Sequence, residues 1–166
     1  MTTWVERGLA AALEHPPEAV PTAPHQAELT TSDGYDVGAS EIPPDQESFA
    51  LFEVRAVYVY ARYSDLEDGT YVQRTAFHTP DGGLYAQMAR AFSVGPEGPA
   101  TIIASGIGEL AVQPATVSPG GPFVVTPLFV SGTPIMLNVV AGTWRVVVTL
   151  DGQAEPAGQT SFDLVK

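Results

Sequence analysis

Between Ser118 and Gly142 the chain reads SPGGPFVVTPLFVSGTPIMLNVVAG, twenty-five residues without Asp, Glu, Lys, Arg or His. An uncharged stretch of that length has two ordinary homes, a membrane helix or a covered protein surface. The first needs about 20 consecutive residues compatible with a helix in hydrocarbon. Prolines at 119, 122, 127 and 134, with Gly120, Gly121 and Gly132, rule that out. What remains is a series of short extended segments joined by turns. The whole chain shares the habit, since 16 Gly and 15 Pro in 166 residues leave little room for long helices.

The runs between these breakers have strand character. Phe49–Tyr63 (FALFEVRAVYVYARY), Tyr71–Thr79 (YVQRTAFHT) and Leu84–Phe92 (LYAQMARAF) are separated by SDLEDG and PDGG. Asp68-Gly69 and Asp81-Gly82 would supply the positive-φ positions of tight turns, and the spacing fits a meander. TIIASGIGEL, FVVTPLFV, PIMLNVVAG, TWRVVVTLDG and QTSFDLVK add about five more runs, which predicts a sandwich or barrel. In TWRVVVTL, Trp144, Val146 and Val148 share one face and Arg145, Val147 and Thr149 the other, so the first face is the candidate core.

The C-terminal segment AGTWRVVVTLDGQAEPAGQTSFDLVK resembles the last two strands of an immunoglobulin-like sandwich. A Gly-x-Trp entry leads into a Val-rich strand, an Asp-Gly turn and a closing alternating strand. The resemblance covers the last quarter of the chain and implies an all-β, antiparallel immunoglobulin-like β-sandwich of about seven to nine strands. Two departures from antibody-type domains stand out: the chain has no Cys, and no Trp falls in the third-strand region.

The N-terminal part differs. Residues 1–53 carry ten acids against Arg7 alone, a net −9 of the chain's −12. Thr2–Glu14 reads as a short helix, with Thr3 as N-cap, Glu6 closing a capping box and Pro16-Pro17 ending it. Trp4, Leu9 and Leu13 fall on its apolar face. From Pro16 to Gln46 no period persists, so residues 1–47 are expected to be a helix plus an acidic, Pro-rich arm, with the sandwich at 48–166. The N-terminus lacks a basic region followed by an apolar run, so no signal peptide is expected.

Candidate chemistry is sparse. GIGELA at 106–111 matches a dinucleotide-binding spacing, but VQPATVSPGGP cannot be the helix that must follow, so a glycine-rich strand end or bulge is the reading. Asp65, Glu67 and Asp68 crowd one turn and leave Ca²⁺ open, though Ala76 stands where an EF-hand loop needs its last Glu. His15, His25 and His78 have no zinc-type spacing, and there is no G-x-S-x-G elbow. No cofactor, metal or catalytic residue is assigned, and the chain is read as not an enzyme. A net charge of −12 repels phosphate backbones, so nucleic acid is not an expected partner.

From Pro99 to Leu150 only Glu109 and Arg145 are charged. A strand facing water on one side usually carries charge there, so a second covering layer is expected, either another molecule or the N-terminal arm. The expectation is a structural or interaction subunit of a larger assembly, of virion, filament or injection-apparatus type. Trp4, Leu9, Leu13, Phe123, Leu128 and Phe129 are its candidate contact residues. The alternative is a glycan- or ligand-binding module with a face of Tyr58, Tyr60, Tyr71 and Tyr85.

Overall fold

A computed structural model describes residues 25–96 and 98–166. Among them are eleven strands and one helical turn. The strands are β1 (Ala27–Ser32), β2 (Ser48–Ala50), β3 (Ala56–Tyr63), β4 (Gly69–His78), β5 (Leu84–Val94), β6 (Thr101–Ala104), β7 (Gly108–Pro114), β8 (Thr116–Ser118), β9 (Gly121–Phe129), β10 (Gly142–Leu150) and β11 (Gly158–Val165). The turn α1 is Pro134–Leu137. No helix among the described residues is long and apolar enough to cross a membrane.

Two sheets pack face to face. The first has the order β1-β3-β9-β8, and the second β2-β11-β10-β4-β5-β7-β6. Neighbours run antiparallel except β2 with β11 and β5 with β7. The core between the sheets follows period-2 alternation: Val57, Val59, Ala61 and Tyr63 point inward from β3, and Trp144, Val146, Val148 and Leu150 from β10. Trp144 is fully buried, as the spacing of its strand requires. Gly121 opens β9 at φ +123, where an added Cβ would lie 2.0 Å from the Tyr63 carbonyl oxygen, so only glycine lets these backbones approach.

Several expectations change. The sandwich takes in residues well before 48: β1 pairs with β3 from Ala27↔Tyr63 to Ser32↔Tyr58. The following segment is tied back, with the Asp45 carboxylate accepting from the Thr31 N–H and Gln46 N–H donating to the Thr31 carbonyl. The expected helix at Thr2–Glu14 lies outside the described residues. Phe49–Tyr63 is two strands, broken by the turn at 51–55.

SDLEDG is no hairpin, because β3 and β4 belong to different sheets and this turn carries the chain between them. Gly69 has no positive φ, whereas Gly82, in the true β4–β5 hairpin, has φ 93. PIMLNVVAG is α1 and a loop, not a strand. Pro134 starts the turn and Ile135 plugs the core where the chain crosses from the first sheet to the second. TIIASGIGEL is the β6–β7 hairpin, turning at Gly106 with φ 78.

Candidate functional site

The predicted contact residues do not come together. Trp4, Leu9 and Leu13 lie outside the described residues. Phe123 is 2% exposed and packs against Tyr60 on the outer side of the first sheet, and Leu128 is 1% exposed in the core. A partner reaches neither without unpacking the fold. Phe129, where β9 ends, is 52% exposed.

The tyrosines also part. Tyr58 and Tyr60 share the outer face of the first sheet, but the segment after β1 folds over them, with the Tyr35 ring 5.4 Å from Tyr58 and 6.4 Å from Tyr60. The Tyr60 hydroxyl donates to the Gly34 carbonyl at 2.7 Å. Burial, reinforced by Tyr35, Tyr58 and Asp36, pushes its pKa up to about 12. Part of the missing second layer is thus supplied by residues of the chain's own N-terminal third. Tyr71 stacks on Phe92 in the second sheet, and Tyr85 lies nearly perpendicular to Trp144 near the start of β5. These four rings form no common platform.

What the structure does assemble is a pair of contrasting ends. β3 and β5 start, and β4, β9 and β11 finish, at the end where α1 lies. Exposed there are Phe52, Leu84, Phe129, Leu137, Val139 and Val165. Local geometry forces them outward. Leu51 and Val54 are buried and pinned, Leu51 N–H to the Val165 carbonyl and Val54 N–H to that of Ala50, which leaves Phe52 outside. Ile135 anchors α1 in the core, and Leu137 is then 69% exposed. Val139 holds a strained φ of 51 in the loop that returns to β10. Arg55, Arg145 and Lys166 share this end with Glu53, Asp81 and Asp163, all exposed. Among the described residues none of the three bases is within ion-pair distance of a carboxylate.

The opposite end is acidic. The turns at 64–68 and 151–157 expose Asp65, Glu67, Asp68, Asp151 and Glu155, and neither holds an Arg or Lys. Burial, then Asp151 and the turn carboxylates, raises the pKa of Tyr71. Among the described residues no three His, Asp or Glu side chains converge as a metal-ligand group. Beneath this end the core carries a polar seam. The Tyr63 hydroxyl donates to Gln73 Oε1 at 2.7 Å, Gln73 Nε2 donates to Thr75 Oγ1 at 3.2 Å, and Thr75 faces Thr126 across the sheets at 3.4 Å. Burial, with Asp151 adding to it, holds the Tyr63 phenol well above its ordinary pKa.

On the flank where β9 faces β5 and β7, a cleft of about 320 Å³ is lined by Tyr35, Arg90, Phe92, Gln113, Thr116 and Phe123. Its one charged side chain is exposed, and no buried polar atom without a partner points into it. It is a groove between strand edges.

The apolar end was missed in the sequence because its members are far apart along the chain. Phe52 and Leu137 sit in runs that read as buried strand, and only the turn at 51–55 and α1 turn them out.

No protein-family model matches the chain, and no curated protein does. Among solved structures, a crystal structure of an immunoglobulin-like protein from Pseudomonas aeruginosa aligns with 87% of this chain and 94% of its own, at 15% identity and a TM-score of 0.42. The alkylpurine DNA glycosylase AlkC of Pseudomonas fluorescens, bound to DNA containing an abasic site analogue, aligns with 86% of this chain and 30% of its own (13% identity, TM-score 0.39). A putative β-galactosidase from Bacteroides fragilis aligns over 66% and 14% (11% identity, TM-score 0.29). The chain spans under a third of these last two. The strand order and packing of this chain make it an all-β sandwich of two sheets.

Proposed function

We propose that this chain is a non-enzymatic interaction subunit that self-associates within a larger protein assembly. The observation that supports the reading is the apolar end: six large hydrophobic side chains exposed at strand ends and in the turn, loop and helical turn beside them. Scattered exposed hydrophobics are ordinary, but a set gathered at one end of a domain and interspersed with charges of both signs is what a protein-contact surface presents. The glycan-binding alternative loses its basis, because its tyrosines are occupied in packing on three separate parts of the sandwich.

Sedimentation equilibrium of the full chain from low to high micromolar concentration tests the proposal. The weight-average mass is expected to rise with concentration. It should depend only modestly on salt, since the buried area would be mainly apolar. A chain that stays monomeric over that range overturns the reading.

A further inference from the structure

Building on that reading, we infer that the association is directional: residues 1–24 of one copy dock on the apolar end of another, head to tail. Strand β1 runs from the acidic end toward the apolar end, so the chain before it departs at the acidic end. His25 is tied there, with its carbonyl accepting from Gln153 Nε2 at 3.2 Å and its Nδ1 3.6 Å from Asp65. Ala27 N–H donates to the Ala157 carbonyl at 2.8 Å. The point of departure and the exposed apolar set are therefore at opposite ends of the sandwich. At about 3.3 Å per residue the nine residues of β10 cover about 30 Å, while twenty-four extended residues cover up to about 80 Å. The segment is long enough to bridge to a neighbour and also to reach its own apolar end, so the assembly state decides between the two.

Its chemistry matches the far end and not the near one. In residues 1–24, Val5, Leu9 and Leu13 recur four residues apart, at helical spacing, with Trp4 next to Val5, and Glu6, Glu14 and Glu18 outnumber Arg7. The apolar end offers Phe52, Phe129 and Leu137 among three bases, Arg55, Arg145 and Lys166, that balance three acids, Glu53, Asp81 and Asp163, so it carries no net charge to repel the segment. The acidic end offers Asp65, Glu67, Asp68, Asp151 and Glu155, which repel the segment's own acids as they repel a second acidic end. Docked head to tail, donor and acceptor make a heterologous contact, in which each copy that gives its segment still presents a free apolar end. Such contacts propagate into an open filament or close into a ring.

Two full-length variants test this. The arm variant carries Leu9→Asp and Leu13→Asp, and the end variant carries Phe129→Asp and Leu137→Asp. Near-UV circular dichroism of Trp144 with Tyr85 verifies the fold of each. If Phe129→Asp disturbs β9, Leu137→Asp alone serves, since it lies on the outside of α1. The wild-type chain is expected to grow past a dimer as concentration rises. Each variant alone should be monomeric, and an equimolar mixture should give a one-to-one dimer that grows no further, because one intact arm meets one intact end.

A labelled peptide of residues 1–24 should bind the arm variant with one site per chain and lose at least tenfold in affinity for the end variant. Wild-type assembly that stops at a dimer would replace the head-to-tail arrangement with a reciprocal pair. A mixture that remains two monomers, or an arm variant that assembles like wild type, would refute arm docking while leaving self-association standing. A wild-type chain that is monomeric throughout, including one whose arm folds back on its own domain, would overturn both this inference and the function it builds on.

Discussion

The two ends of the sandwich differ inside as well as outside. Under the apolar end, Trp144 lies parallel to Phe162 at 8° with ring centroids 6.2 Å apart, Tyr85 stands nearly perpendicular to it at 5.5 Å, and Phe49 closes on Phe162 at 5.9 Å. The Trp144 Nε1–H donates to the Val140 carbonyl, so the ring is buried with its polar atom satisfied. Under the acidic end, the stack Tyr63–Phe92–Tyr71 carries a hydrogen-bonded string, Tyr63 to Gln73 to Thr75, with Thr126 opposite. Aromatic area holds the first end. The second is held by directional bonds that fix how β3, β4 and β9 align across the sheets. The contrast predicts that area-removing changes do most harm at one end and bond-breaking changes at the other.

The largest effect should come from where the chain is cut. Removing residues 1–24 leaves every described strand in place and, at concentrations low enough to keep the chain monomeric, should leave the unfolding midpoint nearly unchanged. Removing residues 1–46 strips β1 from β3, uncovers Ala61 and Tyr63, and removes the Tyr35 cover from Tyr58 and Tyr60. That shorter chain should lose its cooperative thermal transition. If residues 47–166 still melt cooperatively, β1 is not needed to hold the acidic end and the comparison between the ends fails there.

Next in size is Trp144→Ala, which empties the centre of the aromatic cluster at a site 0% exposed. Large-to-small changes of this kind cost about 3–5 kcal/mol, read as a fall in the urea midpoint with an unchanged slope. A loss under about 1 kcal/mol would mean that the apolar end is not held by its interior rings.

At the acidic end a smaller change has a different signature. Tyr63→Phe keeps the ring on Phe92 but leaves Gln73 Oε1 buried without its donor, in a side chain only 1% exposed. The cost should be about 1–3 kcal/mol. Adding Gln73→Leu removes the orphaned group, so the double variant should be less destabilised than the sum of the singles. Additive losses would show that the string does not act as a unit.

Much of this was legible in the sequence, and what was hidden has physical reasons. Period-2 alternation in TWRVVVTL placed Trp144, Val146 and Val148 on the buried face, and Asp81-Gly82 marked the β4–β5 hairpin, because both signals are local. SDLEDG carries the same turn chemistry as a hairpin, yet it joins two sheets, since β4 finds its partners in β5 and β10. Residues 27–32 looked like arm because AELTTS is short, two-thirds polar and set among prolines. Six residues form a strand there only because β3 offers an open edge. Continuous apolar runs such as PLFV promise burial on both sides, but they cannot say that Phe129 emerges where its strand ends. The two ends of the sandwich are assembled from seven separate chain segments, five at the apolar end and two at the acidic end, which no window of sequence displays.

The smallest expected effect belongs to neither end. Tyr60 sits midway along β3, on the outside of the first sheet beneath Tyr35. Tyr60→Phe deletes one hydrogen bond to the Gly34 carbonyl and should cost about 0.5–1.5 kcal/mol at neutral pH. The phenol's pKa rises from 10.0 in the unfolded chain to about 12 in the fold, through burial first and then its neighbours Tyr35, Tyr58 and Asp36. A raised folded value means that the fold favours the neutral hydroxyl. Its contribution is therefore complete below about pH 10 and is lost as pH climbs toward about 12, while the unfolded chain gives up a proton that the fold retains. Tyr63 and Tyr71 are raised too, but they remain in both proteins, so the difference between wild type and Tyr60→Phe isolates one group. Urea midpoints at pH 7 and at about pH 11 should show the gap between the two proteins narrowing. A gap that stays constant would mean that the hydroxyl meets solvent in both states, and that the segment carrying Tyr35 does not stay closed over the first sheet.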